Sequence, residues 1–470
     1  MAENPTLSPT IVVIFGITGD LSQRYLLPAL YHLIKDDLLN PDTEIIGISR
    51  KDMSADELLD KVELCVNEID KVCDPVALKN MHDRTRMFQM DLTDETAYTR
   101  LHQTLDDIET DKGMCMNRLY YLSIPPQVYS PIISLMGKSG LNASCQHGKA
   151  MTRLLVEKPF GYDLTSAESL IKQTATVFGE EQVFRIDHYL AKETVQNILT
   201  FRFENPIFES LWNAEHVQSI EISASEQIGI EGRAQFYEPV GALRDFIQSH
   251  LLQILAIVTM DQPKVLDSQH IHARRQALLS EVSAVPADQV TKQAVRGQYE
   301  GYREEVNNAD STTETFAGIR TTIDSDRWRD VPITIWTGKA LDDKKTEIAI
   351  TFHGHGEQPN TLRFRIQPNE GIELDLLAKT PGFDSELQTA VMDFSYKQNF
   401  ASSEHPTAYE RVLVDAVRGD HTLFATSEEV LSAWRVVQHV LDEWAKDLVP
   451  PPSYAKGTSG AELLKPLLKA

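Results

Sequence analysis

Near the N-terminus an unbroken apolar segment, Thr10–Phe15, runs straight into Gly16-Ile17-Thr18-Gly19-Asp20-Leu21 and then into a helical stretch from Leu26 to Leu39. Strand, glycine turn and helix in that order are what a pyrophosphate site requires, and they commit the start of the chain to an α/β fold. Gly16 permits the tight turn, Gly19 lets a phosphate approach the backbone, and the helix N-terminus supplies oriented N–H groups. The third glycine of the common fingerprint is absent, with Leu21-Ser22 where it would fall. An ordinary strand-to-helix turn would read the same way. Gly16, Thr18, Gly19, Asp20 and Leu21 are the candidate cofactor-binding positions.

The next strand, Glu44–Ser49, ends in Arg50-Lys51. Enzymes that bind NAD alone commonly hold the ribose hydroxyl with an acid at this point, whereas an arginine favours a 2′-phosphate and hence NADP. A solvated strand-end cation is the plainer alternative. Apolar strands recur at 86–90, 118–124 and 152–156 with helical patterns between them, which predicts a parallel, doubly wound, Rossmann-like sheet. Ligands of such sheets collect at the carboxyl ends of the strands, where Glu157-Lys158-Pro159-Phe160-Gly161 falls. A proline directly after Lys158 suits an ammonium fixed toward the cleft, and a plain strand-ending turn is the bland reading.

Residues 185–193, Arg-Ile-Asp-His-Tyr-Leu-Ala-Lys-Glu, follow a strand expected at 182–186 and are too polar for core. His188, Tyr189 and Lys192 offer a dianionic phosphate several donors within one turn of chain, and Asp187 is left to orient a catalytic base. After residue 195 the pattern changes. Segments 217–223, 331–337, 346–352, 361–367, 371–378 and 390–396 mostly alternate apolar and polar residues, the sign of antiparallel strands in an α+β domain with a large sheet and helices. A late helix has Thr426 and Glu429 at capping-box spacing, with Val430, Trp434, Val437, Leu441 and Trp444 on one face. Within this half, 241–253 reads as an amphipathic helix that places His250 in an apolar run. A lone histidine there is more often a satisfied core residue than a base. The expected organisation is a dinucleotide-binding domain at 1–186 and a substrate-binding and oligomerisation domain at 187–470.

Composition narrows the partners. The 470 residues carry a net charge of −24, which repels nucleic acid and anionic membranes. An anionic small molecule remains compatible, because a few local cations outweigh a distant field that salt screens over about 8–10 Å. Apolar runs fall far short of a membrane span, and the first residues lack the basic start and apolar core of a secretory signal. Cys65, Cys73, Cys115 and Cys145 show no metal-ligand spacing, so reduced thiols in a cytoplasmic protein and no metal site are expected.

The string at 185–193 closely resembles the substrate-site signature of the glucose-6-phosphate dehydrogenase family, with Ala191 in place of a glycine. Residues 157–161 match the family string without change, and Leu122-Ser123-Ile124-Pro125-Pro126 resembles its cofactor-contacting turn. Segments around Asn205-Pro206, Ser225-Glu226, Glu231-Gly232-Arg233, Thr337-Gly338-Lys339, Arg365-Ile366-Gln367 and Ala408-Tyr409-Glu410-Arg411 extend the likeness over nearly the whole chain in order. The resemblance implies that His250 is the general base, although Ser249 stands where the family has asparagine, and that Asp187 orients it. It implies that His188, Tyr189 and Lys192 hold a 6-phosphate with Lys344 as a further cation. Lys158, Glu226, Asp245 and Lys339 would bond sugar hydroxyls, and Gln367 would add another substrate contact. Gly16, Thr18, Gly19, Asp20, Leu21, Arg50, Ser123, Pro125 and Lys158 would hold NADP. The implied activity is oxidation of glucose 6-phosphate at C1 by a homodimer or homotetramer. Two alternatives stay open: a sugar dehydrogenase resembling glucose-fructose oxidoreductase, and a non-catalytic relative. The second is suggested by Gln23-Arg24-Tyr25, where the family carries a basic triplet.

Overall fold

The computed structural model describes residues 7–62, 64, 72–145, 150–354, 358–400 and 406–468. Contacts divide the chain into two compact units, one of Met1–Gly161, Thr165–Ala191 and Pro406–Ser427, the other of Tyr162–Leu164, Lys192–His405 and Glu428–Ala470. The first unit therefore includes a segment far beyond the domain boundary expected at residue 186.

Six parallel strands build the first unit: β1 Thr10–Phe15, β2 Glu44–Ser49, β3 Thr85–Gln89, β4 Asn117–Leu122, β5 Thr152–Val156 and β6 Val183–Ile186. Their order is β6-β5-β4-β1-β2-β3, with the short strand Phe424–Ala425 antiparallel on the outer side of β6. β1 reads as a continuous apolar run because both faces are covered. Val12 and Ile14 enter one core while Ile11, Val13 and Phe15 enter the other. Successive strands are laid outward from β1 on one side and from β4 on the other, so the strand order reverses between them, the switch point at which such sheets bind ligands.

The helix expected from Leu26 begins earlier. A widened i→i+5 turn, Ser22–Leu26, leads into Leu27–Lys35, and Leu27 N–H bonds Ser22 O across it. Pro28 has no N–H to give, which favours a wider turn just before it. The expectation of reduced thiols is corrected for Cys115 and Cys145, which form a disulfide with their Cα atoms 5.8 Å apart. Cys73 is also disulfide-bonded, and Cys65 lies outside the described residues. Sequence spacing hid the Cys115–Cys145 pair because it depends on β4 and β5 being parallel neighbours, which brings the segments ahead of both strands together.

The second unit is built on a nine-stranded sheet. Its longer strands are β7 Val217–Ser225, β8 Ala294–Tyr299, β9 Phe316–Thr321, β10 Ile333–Gly338, β11 Lys345–Phe352, β12 Thr361–Gln367, β13 Gly371–Lys379 and β14 Leu387–Ser395. The order is β14-β13-β12-β11-β7-β10-β9-β8, ending in Ser453–Tyr454. Pairing is antiparallel except between β7 and β10 and at the Ser453–Tyr454 edge. The expected helix 241–253 is a widened helix, Leu243–Leu251, that continues as Leu252–Thr259. Among the described residues no helix is long and apolar enough to cross a membrane.

Candidate active site

Within the first unit, a cavity of ≈ 450 Å³ opens at the β1/β4 switch point and is lined by Gly16, Thr18, Gly19, Arg50, Ser123 and Pro125 together with Asp91 and its neighbours. Gly16 adopts φ +83°, and a Cβ there would lie 2.3 Å from Ser123 O, so the turn needs glycine twice over. Gly19 N–H closes the turn on Gly16 O at 2.9 Å. Ser22 occupies the place of the missing third glycine. Fully buried, its hydroxyl hydrogen-bonds Gly16 O at 3.1 Å and Ser123 Oγ at 2.8 Å, tying the helix to the end of β4 by hydrogen bonds instead of by bare backbone. Asp91, which the sequence reading did not single out, lies opposite Arg50. Bonds from the Thr93 backbone and hydroxyl hold its carboxyl below the usual range, with Arg50 adding to the effect. Asp20 and Leu21 are not among the lining residues: Asp20 pairs with Arg24 at 2.7 Å on the surface, and Leu21 packs toward the core.

Glu157 precedes Lys158 at the end of β5. It is buried, and its Oε1 accepts the Tyr121 hydroxyl at 2.5 Å. Burial pushes its carboxyl up to about 7; the Tyr121 bond and the Lys158 charge oppose that, while the Asp187 charge adds to it. Asp187 is 3% exposed and accepts Tyr189 N–H at 2.9 Å, an Asx-type bond that turns the chain immediately after β6. This turn brings the His188 and Tyr189 rings to 5.0 Å. Arg185 is structural, being buried with Nη1 2.8 Å from Glu180.

The second unit assembles the other candidates in two groups. Lys192, directly before helix Glu193–Phe203, donates through Nζ to Gln367 Oε1, whose amide nitrogen in turn bonds Thr346 Oγ1 at 3.2 Å. Burial draws the Lys192 ammonium down to about 8, Glu370 working against this and the Lys344 charge reinforcing it. In the other group Lys339, 4% exposed, forms an ion pair with Glu226 and lies 5.1 Å from the Tyr237 ring centroid. Burial raises the Tyr237 hydroxyl well above its usual value, and the charge of Asp245 contributes. His250 is 1% exposed, edge-on to Phe246 with centroids 5.6 Å apart. Ser249 Oγ donates to Asp245 O at 2.5 Å, supplying a bond in a stretch where the widened helix carries its N–H groups past the usual acceptor. Glu157, like Asp91, is a residue that sequence reasoning passed over: it sits inside a recognised string, but only burial gives it chemistry.

A doubly wound parallel sheet with a phosphate-type turn at its switch point, on a chain that continues into a large mixed sheet, is the architecture of a dinucleotide-binding α/β protein. Residues 13–197 match the family described as glucose-6-phosphate dehydrogenase, NAD binding domain, and residues 199–470 match glucose-6-phosphate dehydrogenase, C-terminal domain. The chain belongs to the glucose-6-phosphate dehydrogenase family. It is 38% identical to the glucose-6-phosphate 1-dehydrogenase of Chlamydia pneumoniae over 97% of this chain and 93% of that one. A solved glucose-6-phosphate dehydrogenase in complex with its substrate glucose-6-phosphate superposes with TM-score 0.90 at 32% identity, covering 99% of this chain and 98% of that one. The crystal structure of glucose-6-phosphate 1-dehydrogenase from Mycobacterium avium gives TM-score 0.83 at 33% identity, with 98% and 97% covered.

Proposed function

We propose that this protein oxidises β-D-glucose 6-phosphate at C1 with NADP+, giving 6-phosphogluconolactone and NADPH, the first step of the oxidative pentose phosphate pathway. The observation that carries the reading is the half-buried Lys192 ammonium held on Gln367 and near enough to Lys344 to feel its charge, two cations and an amide as a phosphate dianion requires.

His250 accepts the O1 proton as the C1–H bond breaks, and Asp187 fixes its tautomer and stabilises the imidazolium. His188, Tyr189, Lys192 and Lys344 hold the 6-phosphate. Glu226, Asp245, Lys339, Lys158 and Gln367 bond the sugar. Gly16, Thr18, Gly19, Ser123 and Pro125 take the pyrophosphate end of the dinucleotide, with the backbone of Asp20 and Leu21, and Arg50 takes the 2′-phosphate. Bound there, NADP+ serves as hydride acceptor. We assign dinucleotide binding to residues 1–186 and substrate binding and assembly to 187–470. A homodimer or homotetramer is favoured by β14, whose Leu387, Val391 and Met392 side chains are exposed. A cytoplasmic location suits a charged substrate that does not cross membranes unaided.

NADPH formation by the purified protein tests the reading. Turnover of glucose 6-phosphate with NADP+, far above that of free glucose, is expected. Equal rates on both sugars at saturation point to an unphosphorylated-sugar dehydrogenase, and no turnover on either points to a binding protein.

A further inference from the structure

Two helical runs of the second unit begin beside or carry candidate site residues. Helix Glu193–Phe203 begins directly after Lys192, and the run formed by Leu243–Leu251 and Leu252–Thr259 carries Asp245 and His250. At their far ends one side chain joins them. Arg202, near the end of the first helix, has a fully buried side chain; its Nη1 donates to Ile257 O at 2.9 Å and its Nη2 to Met260 O at 2.7 Å. The carbonyls between these two are held as well, Val258 O by Trp212 Nε1 at 2.6 Å and Thr259 O by Trp328 Nε1 at 2.7 Å. Those are the four carbonyls that a helix leaves without an internal partner at its C-terminus, and here each receives a buried side-chain donor.

Such an end could be left to water. A buried guanidinium is a costly way to cap it: burial draws Arg202 down to about 9, with Glu209 Oε2 3.6 Å away as counter-charge and the rings of Phe203 and Trp212 4.5 and 5.4 Å from the guanidinium carbon. Unlike water, the bidentate fork fixes one helix against the other in direction and distance.

We propose that Arg202 is a positioning residue that sets the separation between Lys192 and His250, and so the span from the 6-phosphate to C1 at which the substrate is held. The proposal rests on the roles given above to Lys192 and His250. Binding energy at a remote phosphate raises turnover only if the group that holds it is rigidly linked to the group that does chemistry, and a displacement near 1 Å costs about a hundredfold.

The test is Arg202→Lys, which keeps the charge and loses the fork. We measure kcat with glucose 6-phosphate and the competitive inhibition constant of inorganic phosphate, using Lys192→Ala as reference. A fall in kcat of about tenfold or more, with the phosphate constant within about twofold of wild type, is expected, because Lys192 and Gln367 still bind phosphate but hold it out of register. Unchanged kcat overturns the proposal. A weakening of phosphate inhibition parallel to the loss in kcat overturns it too, since Arg202 would then merely maintain the local fold. Should Arg202→Lys fail to fold, Trp328→Phe keeps an aromatic ring at this buried position and removes the donor to Thr259 O together with part of the indole. The same pattern at about threefold is expected there, and wild-type kcat rejects the idea. The parent reading fails separately: if Lys192→Ala leaves phosphate inhibition intact, Lys192 is not in the phosphate subsite, whatever Arg202→Lys does.

Discussion

The Tyr121 hydroxyl donates to the buried Glu157 carboxyl at 2.5 Å, one residue before Lys158 and within the electrostatic reach of Asp187. With its folded value raised to about 7, Glu157 binds a proton in the folded protein that it has released in the unfolded chain over the interval from about 4.5 to 7. Its contribution to stability is therefore full below the unfolded value and is lost as pH rises through the folded one. Glu157→Gln stays neutral throughout. The melting temperature of this variant relative to wild type should climb between pH 5 and 7. A constant gap across that window would show that Glu157 is ionised in the fold.

His250→Asn should lose most turnover while sugar-phosphate binding survives, because a general base acts on the transition state and contributes about 10²–10⁴-fold. Steady-state kinetics and a binding titration decide it; retention of more than half of kcat removes His250 from the mechanism.

Lys192, drawn down to about 8, loses its charge within an accessible pH range. The folded cation is present below that value and disappears above it, so kcat/KM for glucose 6-phosphate should fall as pH rises from 7 to 9. Lys192→Ala should start with a raised KM and lack this descent. Weak turnover of free glucose should hardly respond to the substitution, and equal losses on both sugars would make Lys192 structural.

Arg50→Ala should weaken NADP by one to two decades and leave NAD nearly unchanged, because a charge-assisted bond to the 2′-phosphate contributes about 1.5–3 kcal/mol. Equal loss for both coenzymes would assign the arginine to the fold.

Tyr25, read from the sequence as a departure from a basic triplet, has a half-exposed ring that stacks on Tyr409 with centroids 5.1 Å apart and planes at 19°. Such a pair contributes about 0.5–1.5 kcal/mol beyond its buried area. Tyr25→Phe should melt with wild type and Tyr25→Lys a few degrees earlier. If Tyr25→Lys kept the wild-type melting temperature and raised kcat, the position would be electrostatic and the stack incidental.

Some of this was readable in the residues. β1, β2, β5 and β12 fall on the expected bounds because their burial follows directly from apolar runs or alternation. β8 and β9 escaped, since Ala-Val-Arg-Gly-Gln-Tyr and Phe-Ala-Gly-Ile-Arg-Thr each carry a glycine and an arginine inside the strand, which blurs the alternation. At the site, the expectation that the charged string at 187–192 lies outside the core fails, since Asp187 and Tyr189 are buried, but the string still declares itself by its polarity. Arg202 does not: in Phe-Arg-Phe it resembles any surface cation on a helix, and only the tertiary meeting with Ile257 and Met260 gives it partners. Glu157 was hidden for the same reason, a titration being a property of surroundings and not of a string.

The strand Phe424–Ala425 on the edge of β6 bears on how this chain is made. Val412, Leu413, Ala416, Val417, Leu423 and Phe424 fill the same core as Val12 and Ile14. On a ribosome, the nascent dinucleotide unit must wait for about half of the protein to be synthesised after Ala191 before that core is filled and the β6 edge covered. A shortened messenger, or a cloned piece stopping after residue 197 where the family's first domain ends, would release a sheet with an open flank and a hollow in one face. Such a piece should be a client for chaperones rather than a free-standing nucleotide binder.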